Sequence, residues 1–203
     1  MILLDNKIES LPKFISAQKL LEDKLVLEFS SNNNYNKKKI RKTIELTIGD
    51  IACFVKPHTD FVCDTIVRGI LPKRHNGLES PTVYVLVTDN KFDFYNITDI
   101  ADKKYKILDM ALKNVIVQRV FTIHQLAHFL IKELEKDLER YKSKLVVITG
   151  DFFLSDSQIS NQDKDWLYPQ MIKAIKKIRD SIILVFSPTT LSNLVNYGYE
   201  TKG

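Results

Sequence analysis

Residues 81–88 read PTVYVLVT, a short apolar run that opens on a proline and gives way to the polar Asp89-Asn90-Lys91. A continuous apolar run of this length fits a strand covered on both faces, the signature of a buried parallel sheet. Four more segments share the character: 44–55, rich in β-branched residues, 114–119 (NVIVQR), 144–148 (KLVVI) and 182–186 (IILVF). Helical periodicity lies between them. Residues 61–71 carry it up to Pro72, which a helix does not pass, and 98–112 and 166–179 carry it again. The clearest helix is 123–141, with Leu126, Phe129, Leu130, Leu134 and Leu138 on one face. Strands alternating with helices of ten or more residues build βαβ units on a parallel sheet. The expected fold is therefore α/β, a three-layer sandwich with a mainly parallel central sheet.

Outward from this core, 13–24 spaces Phe14, Ala17, Leu20 and Leu21 as one apolar helical face. Residues 30–35 are polar, with three consecutive asparagines, and lead into the basic run 36–42. The chain thus divides into an arm, 1–43, holding a docking helix and a basic loop, and a core, 44–203, with a short tail from 189.

The chain has 203 residues, 44% hydrophobic and 27% charged, with only 6 Gly and 6 Pro, a composition that excludes global disorder and low-complexity architecture. No apolar run approaches the roughly 18 to 20 residues that span a bilayer, so no membrane partner is expected and the expected location is cytoplasmic, or nuclear in a eukaryote. Cys53 and Cys63 are too few for a disulfide framework or a four-thiolate zinc site, and read as reduced, buried thiols. Thirty Lys and Arg against 25 Asp and Glu leave a net charge of +5, which permits nucleic-acid binding without demanding it. Lys37, Lys38, Lys39, Arg41 and Lys42 follow one another with no acid between them, and Tyr35 beside them can stack on a base. A solvated surface loop is the plain reading; a phosphate-contacting arm is the sharper one.

Ligands of open α/β sheets bind at the carboxyl ends of the strands. After the first core strand the chain reads Lys56-Pro57-His58-Thr59-Asp60. A phosphate loop needs glycines, so that backbone N–H groups face the phosphate, and a lysine. This loop has no glycine, its proline removes a donor, and Asp60 sets a negative charge where a triphosphate would lie.

Taken in order, the segments resemble the ATPase core of the RecA/RadA recombinase family over about residues 14–188. Gly49-Asp50-Ile51 is similar to the strand entering the family's phosphate loop, and Cys63 lies where many members have a cysteine. Leu71-Pro72 with Gly77 resembles the approach to the second strand. Residues 83–92 end Thr88-Asp89-Asn90-Lys91-Phe92, close to the family's Thr-Glu-Gly-x-Phe, and Asn114-Val115 through Arg119-Val120-Phe121 resembles its N-V-x-x-x-R-x-F strand. The resemblance implies a RecA-like core whose catalytic parts have degenerated. Its phosphate loop corresponds to a shorter stretch holding Lys56 and ending Thr59-Asp60 where Lys-Thr would stand. Its water-activating glutamate corresponds to Asp89, its Walker B aspartate to Thr149 with Asp151 two residues late, and its γ-phosphate sensor to Ser187. Losing the lysine, glycines and metal carboxylate removes most of the charge stabilisation that phosphoryl transfer needs. Phe14-Ile15-Ser16-Ala17 matches the F-x-x-A motif through which these recombinases dock on a neighbour; packing of Phe14 on the chain's own core is the plain alternative.

The expectation is a non-catalytic paralogue, with no enzyme activity, cofactor or metal. Its partners would be a RecA/RadA-family recombinase or another paralogue through Phe14 and Ala17, with single-stranded DNA as a further candidate through Tyr35 and Lys37–Lys42. The alternative is a diverged nucleotide-binding ATPase in which Lys56 replaces the lost lysine; a third reading is a structural subunit of a hetero-oligomer. His124 and His128, one helical turn apart, lack a third metal ligand, and Asp151, Asp156 and Asp163 lack the spread over several strands that a nuclease cluster draws on.

Overall fold

The structure is a computed structural model that describes residues 23–32, 39–55, 57–87, 94–150 and 160–187. Its centre is a parallel sheet of five strands: β3 (Ile51–Val55), β4 (Thr82–Val87), β5 (Val115–Val120), β6 (Leu145–Thr149) and β7 (Ile182–Ser187), in the spatial order β3-β7-β6-β4-β5. Ile51 stands beside Ile183, Leu145 beside Ile182, and Thr82 between Leu145 and Val115. β6 and β7 are buried at every position, which explains why they read as unbroken apolar runs.

Two cores flank the sheet. On one side, α1 (Thr59–Ile70) lays Val62, Ile66, Val67 and Ile70 against Tyr84, Leu86, Val147 and Leu184, and Ile97 and Ala111 from α2 (Phe94–Asp99) and α3 (Leu108–Asn114) extend that layer. On the other, α4 (Ile123–His128) and α5 (Leu134–Tyr141) set Leu126, Leu130 and Leu134 with Met171 and Ile175 of α6 (Asn161–Lys177) against Val85, Val146 and Ile183. Every crossover toward β5 uses the first side and every crossover back uses the second, as a single crossover hand requires. The three-layer α/β sandwich expected from the sequence is present.

Local chemistry sets the ends of the helices. Thr122 caps α4 by accepting the Gln125 N–H at 3.2 Å, while Gln125 Oε1 accepts the Phe121 N–H at 2.8 Å, a reciprocal pair of the capping-box kind. Ser160 accepts the Asp163 N–H at 3.1 Å and starts α6 well before residue 166, the expected start. The 123–141 helix is continuous but holds a wide π-helical turn, Phe129–Glu133, between α4 and α5. The expected helix 98–112 is interrupted. α2 runs into a π-helical turn, Ile100–Lys104, and Lys106, at φ 57°, separates it from α3.

The arm differs most from expectation. β1 (Lys24–Asn32) and β2 (Lys39–Thr47) pair antiparallel, Lys24 with Thr47 through Asn32 with Lys39. Lys39, Arg41 and Lys42 therefore stand on a strand and not on a loop, and the division between residues 43 and 44 falls inside that strand. The segment 44–55 is not one strand either. Asp50 Oδ2 accepts the Thr47 N–H at 2.7 Å, Gly49 takes φ 92° and donates to Ser181 O at 3.2 Å, and the chain turns between β2 and β3. Lys24, expected at the end of a helix, begins β1. Leu25, Leu27 and Leu46 of this ribbon join the α1 core, and Asp23 at its base bridges Lys73 at 2.5 Å and Lys144 at 2.7 Å. No helix among the described residues is long and apolar enough to cross a membrane.

Candidate functional site

The carboxyl edge of the sheet gathers the described members of the expected nucleotide site. Thr59 and Asp60 open α1 just beyond β3. Ser187, fully buried, ends β7 beside Val55, and Thr149 ends β6 beside Phe186 and Leu86. Lys56, Asp89 and Asp151 lie outside the described residues, as do Phe14, Ala17, Tyr35, Lys37 and Lys38.

The N-terminal turn of α1 is satisfied from within the chain. His58 Nδ1 accepts the Asp60 N–H at 3.3 Å, and the exposed Asp60 carboxylate accepts from Asn96 Nδ2 of α2 at 2.9 Å. An acid in the first turn complements the positive end of the helix and repels an incoming phosphate. Beneath this turn three rings close on one another. Phe54 of β3 stacks on Phe186 of β7 at 5.1 Å between centroids, and Phe61 of α1 meets both edge-on at 5.4 and 5.8 Å. Aromatic packing of this kind fixes α1 on the sheet, leaving the loop before it to be held by side chains. Residues 54–61 carry the three-ring signal in part, but Phe186 joins it only through the strand order.

Thr149, standing where the resemblance places a magnesium carboxylate, is nearly buried, and its hydroxyl donates to Tyr84 Oη at 2.8 Å. The hydroxyl is spent on β4. Gly150 then leaves the strand at φ 113°, its N–H on Phe186 O at 3.2 Å. β4 and β6 are neighbours whose following connections leave on opposite sides of the sheet, so the crevice between their ends is the switch point where an open α/β sheet takes its ligands.

Two further constellations lie away from the expected nucleotide site; the sequence pointed to His124 and His128 of the second but not to the rest. Asp64 of α1 accepts from Arg68 Nε at 2.8 Å, Lys104 Nζ at 2.6 Å and Tyr105 Oη at 2.7 Å, and Arg68 also donates to Val26 O at 3.2 Å. Burial pushes the Asp64 carboxyl up, but the hydrogen bonds from Arg68, Lys104 and Tyr105 outweigh it and hold the group below its ordinary range. The network ties α1, the π-helical turn after α2 and β1 together. The second is a groove of about 520 Å³ beside the end of β5, lined by Arg119, His124, Gln125, His128, Glu133 and Asp137 among others. His128 Nε2 stands 3.8 Å from Glu133 across the π-helical turn, which brings those residues to one side. Among the described residues no three His, Cys, Asp or Glu side chains converge as a metal site.

No protein-family model matches the chain, and no curated protein matches it.

Proposed function

We propose that the chain is a RecA/RadA-type recombinase paralogue that retains the fold without ATP hydrolysis and acts as an accessory binding protein in homologous recombination. One observation carries this reading. The resemblance assigns nucleotide residues to the ends of four core strands, β3, β7, β6 and β4, and none to β5. These four can serve one nucleotide only as neighbours. The sheet order β3-β7-β6-β4-β5 makes them so and leaves β5 outside. Nothing in the spacing of residues along the chain required that order. At about 4.8 Å per strand, the four ends span roughly 14 Å.

The same edge supports the loss of catalysis. Asp60 occupies the first turn of α1, the Phe54, Phe61 and Phe186 rings pack beneath it, and Thr149 is committed to Tyr84. The inferred partner is a RecA/RadA-family recombinase or another paralogue, docked through Phe14 and Ala17. The basic segment, with Tyr35, Lys37 and Lys38 preceding β2 in the sequence and Lys39, Arg41 and Lys42 on it, suits contact with single-stranded DNA.

Calorimetric titration against the recombinase of the same organism tests the reading. Binding is expected without any nucleotide on this chain, and the Phe14→Ala variant should bind at least about 30-fold more weakly, since truncating a pocket-filling aromatic costs about 2 kcal/mol or more at an interface. Unchanged binding by the variant sinks the docking claim. The melting temperature of the isolated chain is expected to be the same with and without millimolar Mg·ATP, because a ligand that binds only the folded state must raise its stability. A clear rise would favour the diverged nucleotide-binding ATPase instead.

A further inference from the structure

We propose that the amino edge of the sheet, opposite the expected nucleotide site, holds the phosphate backbone of a nucleic-acid duplex. Two segments build this surface: 139–144, which closes α5 and enters β6, and 173–180, which closes α6 and enters β7. Together they carry seven Lys or Arg against two acids, Glu139 and Asp180, a net +5 that equals the charge of the whole chain. The rest of the chain is balanced. The strand order brings the two segments together: β6 and β7 are neighbours, the Ile182 N–H donates to Lys144 O at 2.8 Å, and Ser181 Oγ donates to Ser143 O at 2.7 Å. The surface is separate from the basic segment 37–42 and does not rest on docking to a recombinase.

Two ordinary uses of a basic residue leave part of this set unexplained. Cations in the last turn of a helix complement its negative end, which accounts for Arg140, Lys176 and Lys177. Lys142 and Arg179 lie beyond their helices, and Lys173 lies a turn too early. Ion pairing does not account for them either. Lys24, Lys73, Lys103, Lys104 and Lys136 each have a carboxylate partner, whereas Lys142, Lys173 and Arg179 are exposed and have none among the described residues. The neighbouring acids are engaged within the chain: Asp23 bridges Lys73 and Lys144, Glu79 acts on Lys73, and Asp50 accepts from Thr47.

The character of the surface selects the partner. None of the large hydrophobic side chains exposed among the described residues, Tyr95, Met110, Leu112, Phe121 and Trp166, lies in either segment. A protein interface draws on aromatic or aliphatic anchors, and an interfacial membrane helix draws on an apolar face. A single strand draws on exposed rings for stacking, and the one ring here, Tyr141, is half-buried with the Arg140 guanidinium 5.2 Å from its centroid. A duplex hides its bases and presents phosphates alone, one charge per about 1.7 Å of its axis, which a surface of unpaired cations fits. Lys173 and Lys177 stand one turn apart on α6, about 6 Å along such a backbone.

Fluorescence anisotropy of a labelled DNA duplex of about 30 base pairs, titrated with the full chain from about 50 to 200 mM salt, tests the proposal. The wild type is expected to bind with a Kd of about 1 to 100 micromolar at physiological salt. The triple variant Lys142→Gln, Lys173→Gln, Arg179→Gln should bind at least about tenfold more weakly at the lowest salt. It should also flatten the slope of log K against log salt by between about 2 and 3, at about 0.9 per phosphate contact. A control that removes the same charge from exposed sites elsewhere, Lys106→Gln, Lys113→Gln, Lys132→Gln, should change the affinity less than about threefold. Both variants should keep the wild-type melting temperature, as exposed substitutions clear of caps and core do. In the unmodified protein, bound duplex should protect Lys142 and Lys173 from acetylation and leave Lys113 labelled. A surface variant that binds like the wild type, a control that weakens binding as much, or labelling of Lys142 and Lys173 unchanged by duplex would each overturn the proposal. So would tighter binding to a single strand of the same length, or binding to phosphatidylserine vesicles in place of the duplex.

Discussion

Gly69→Val is expected to cost about 3 kcal/mol or more of folding stability, read as a fall of roughly 6–12 °C in melting temperature. Gly69 lies in the last turn of α1 where that helix crosses the sheet. A Cβ there would sit 2.5 Å from Thr82 Oγ1 and 2.6 Å from Leu145 Cδ2. Both residues are fully buried, and the Thr82 hydroxyl is already donating to Ile66 O at 3.1 Å, so neither can swing away without losing packing or a hydrogen bond. Valine adds two methyls beyond that Cβ. Even Gly69→Ala should destabilise, although the same change in an open helix stabilises by about 1 kcal/mol. Chemical denaturation of the alanine variant checks the sign, and a midpoint above wild type would contradict the close approach.

Asp64→Ala is expected to cost about 3 kcal/mol, because it takes the carboxylate from the nearly buried Arg68 guanidinium, which keeps the Val26 carbonyl but no counter-charge there, and removes the acceptor shared by Lys104 and Tyr105. The pH dependence separates charge from packing. The folded carboxyl titrates below its unfolded value of about 3.9, so its contribution is fully present above that pH and is lost as the pH falls through the folded value. The stability gap between wild type and Asp64→Asn should therefore be widest near neutrality and narrow below about pH 4. Urea midpoints at pH 7 and pH 3 measure it, and a gap that holds constant between them would assign the effect to shape alone.

What the sequence made legible was whatever a short window decides. The runs 81–88, 144–148 and 182–186 are apolar because both faces of the sheet are covered, and they read correctly as parallel strands. The ribbon was hidden by competing signals. Leu25 and Leu27, and Leu46 and Ile44 opposite them, stand two residues apart on the side that meets the α1 core, which is the period of a strand. The helical pattern running into Lys24 and the basic run at 37–42 masked it, since a strand with one solvated face tolerates charge at every second position. The π-helical turns leave no compositional trace. The candidate site was legible as a set of residues after strands but not as a place, for Phe186 meets Phe54 and Phe61 only once β7 is seated against β3. The Asp64 network likewise closes across 40 residues, from α1 to Lys104.

The position of β3 has a consequence for the making of the protein. Its one strand partner among the described residues is β7, and Ile51 waits for Ile183, 132 positions further along the chain. On a ribosome adding about 5–20 residues per second, β3 and the α1 surface above it spend roughly 7–26 s without the strand that completes their side of the sheet. Of the five described strands of this sheet the last to leave the ribosome seats the first, and a message truncated before residue 182 would release a chain in which Phe54 lacks Phe186. Until β7 emerges, the apolar face it covers in the finished sheet stays open to water.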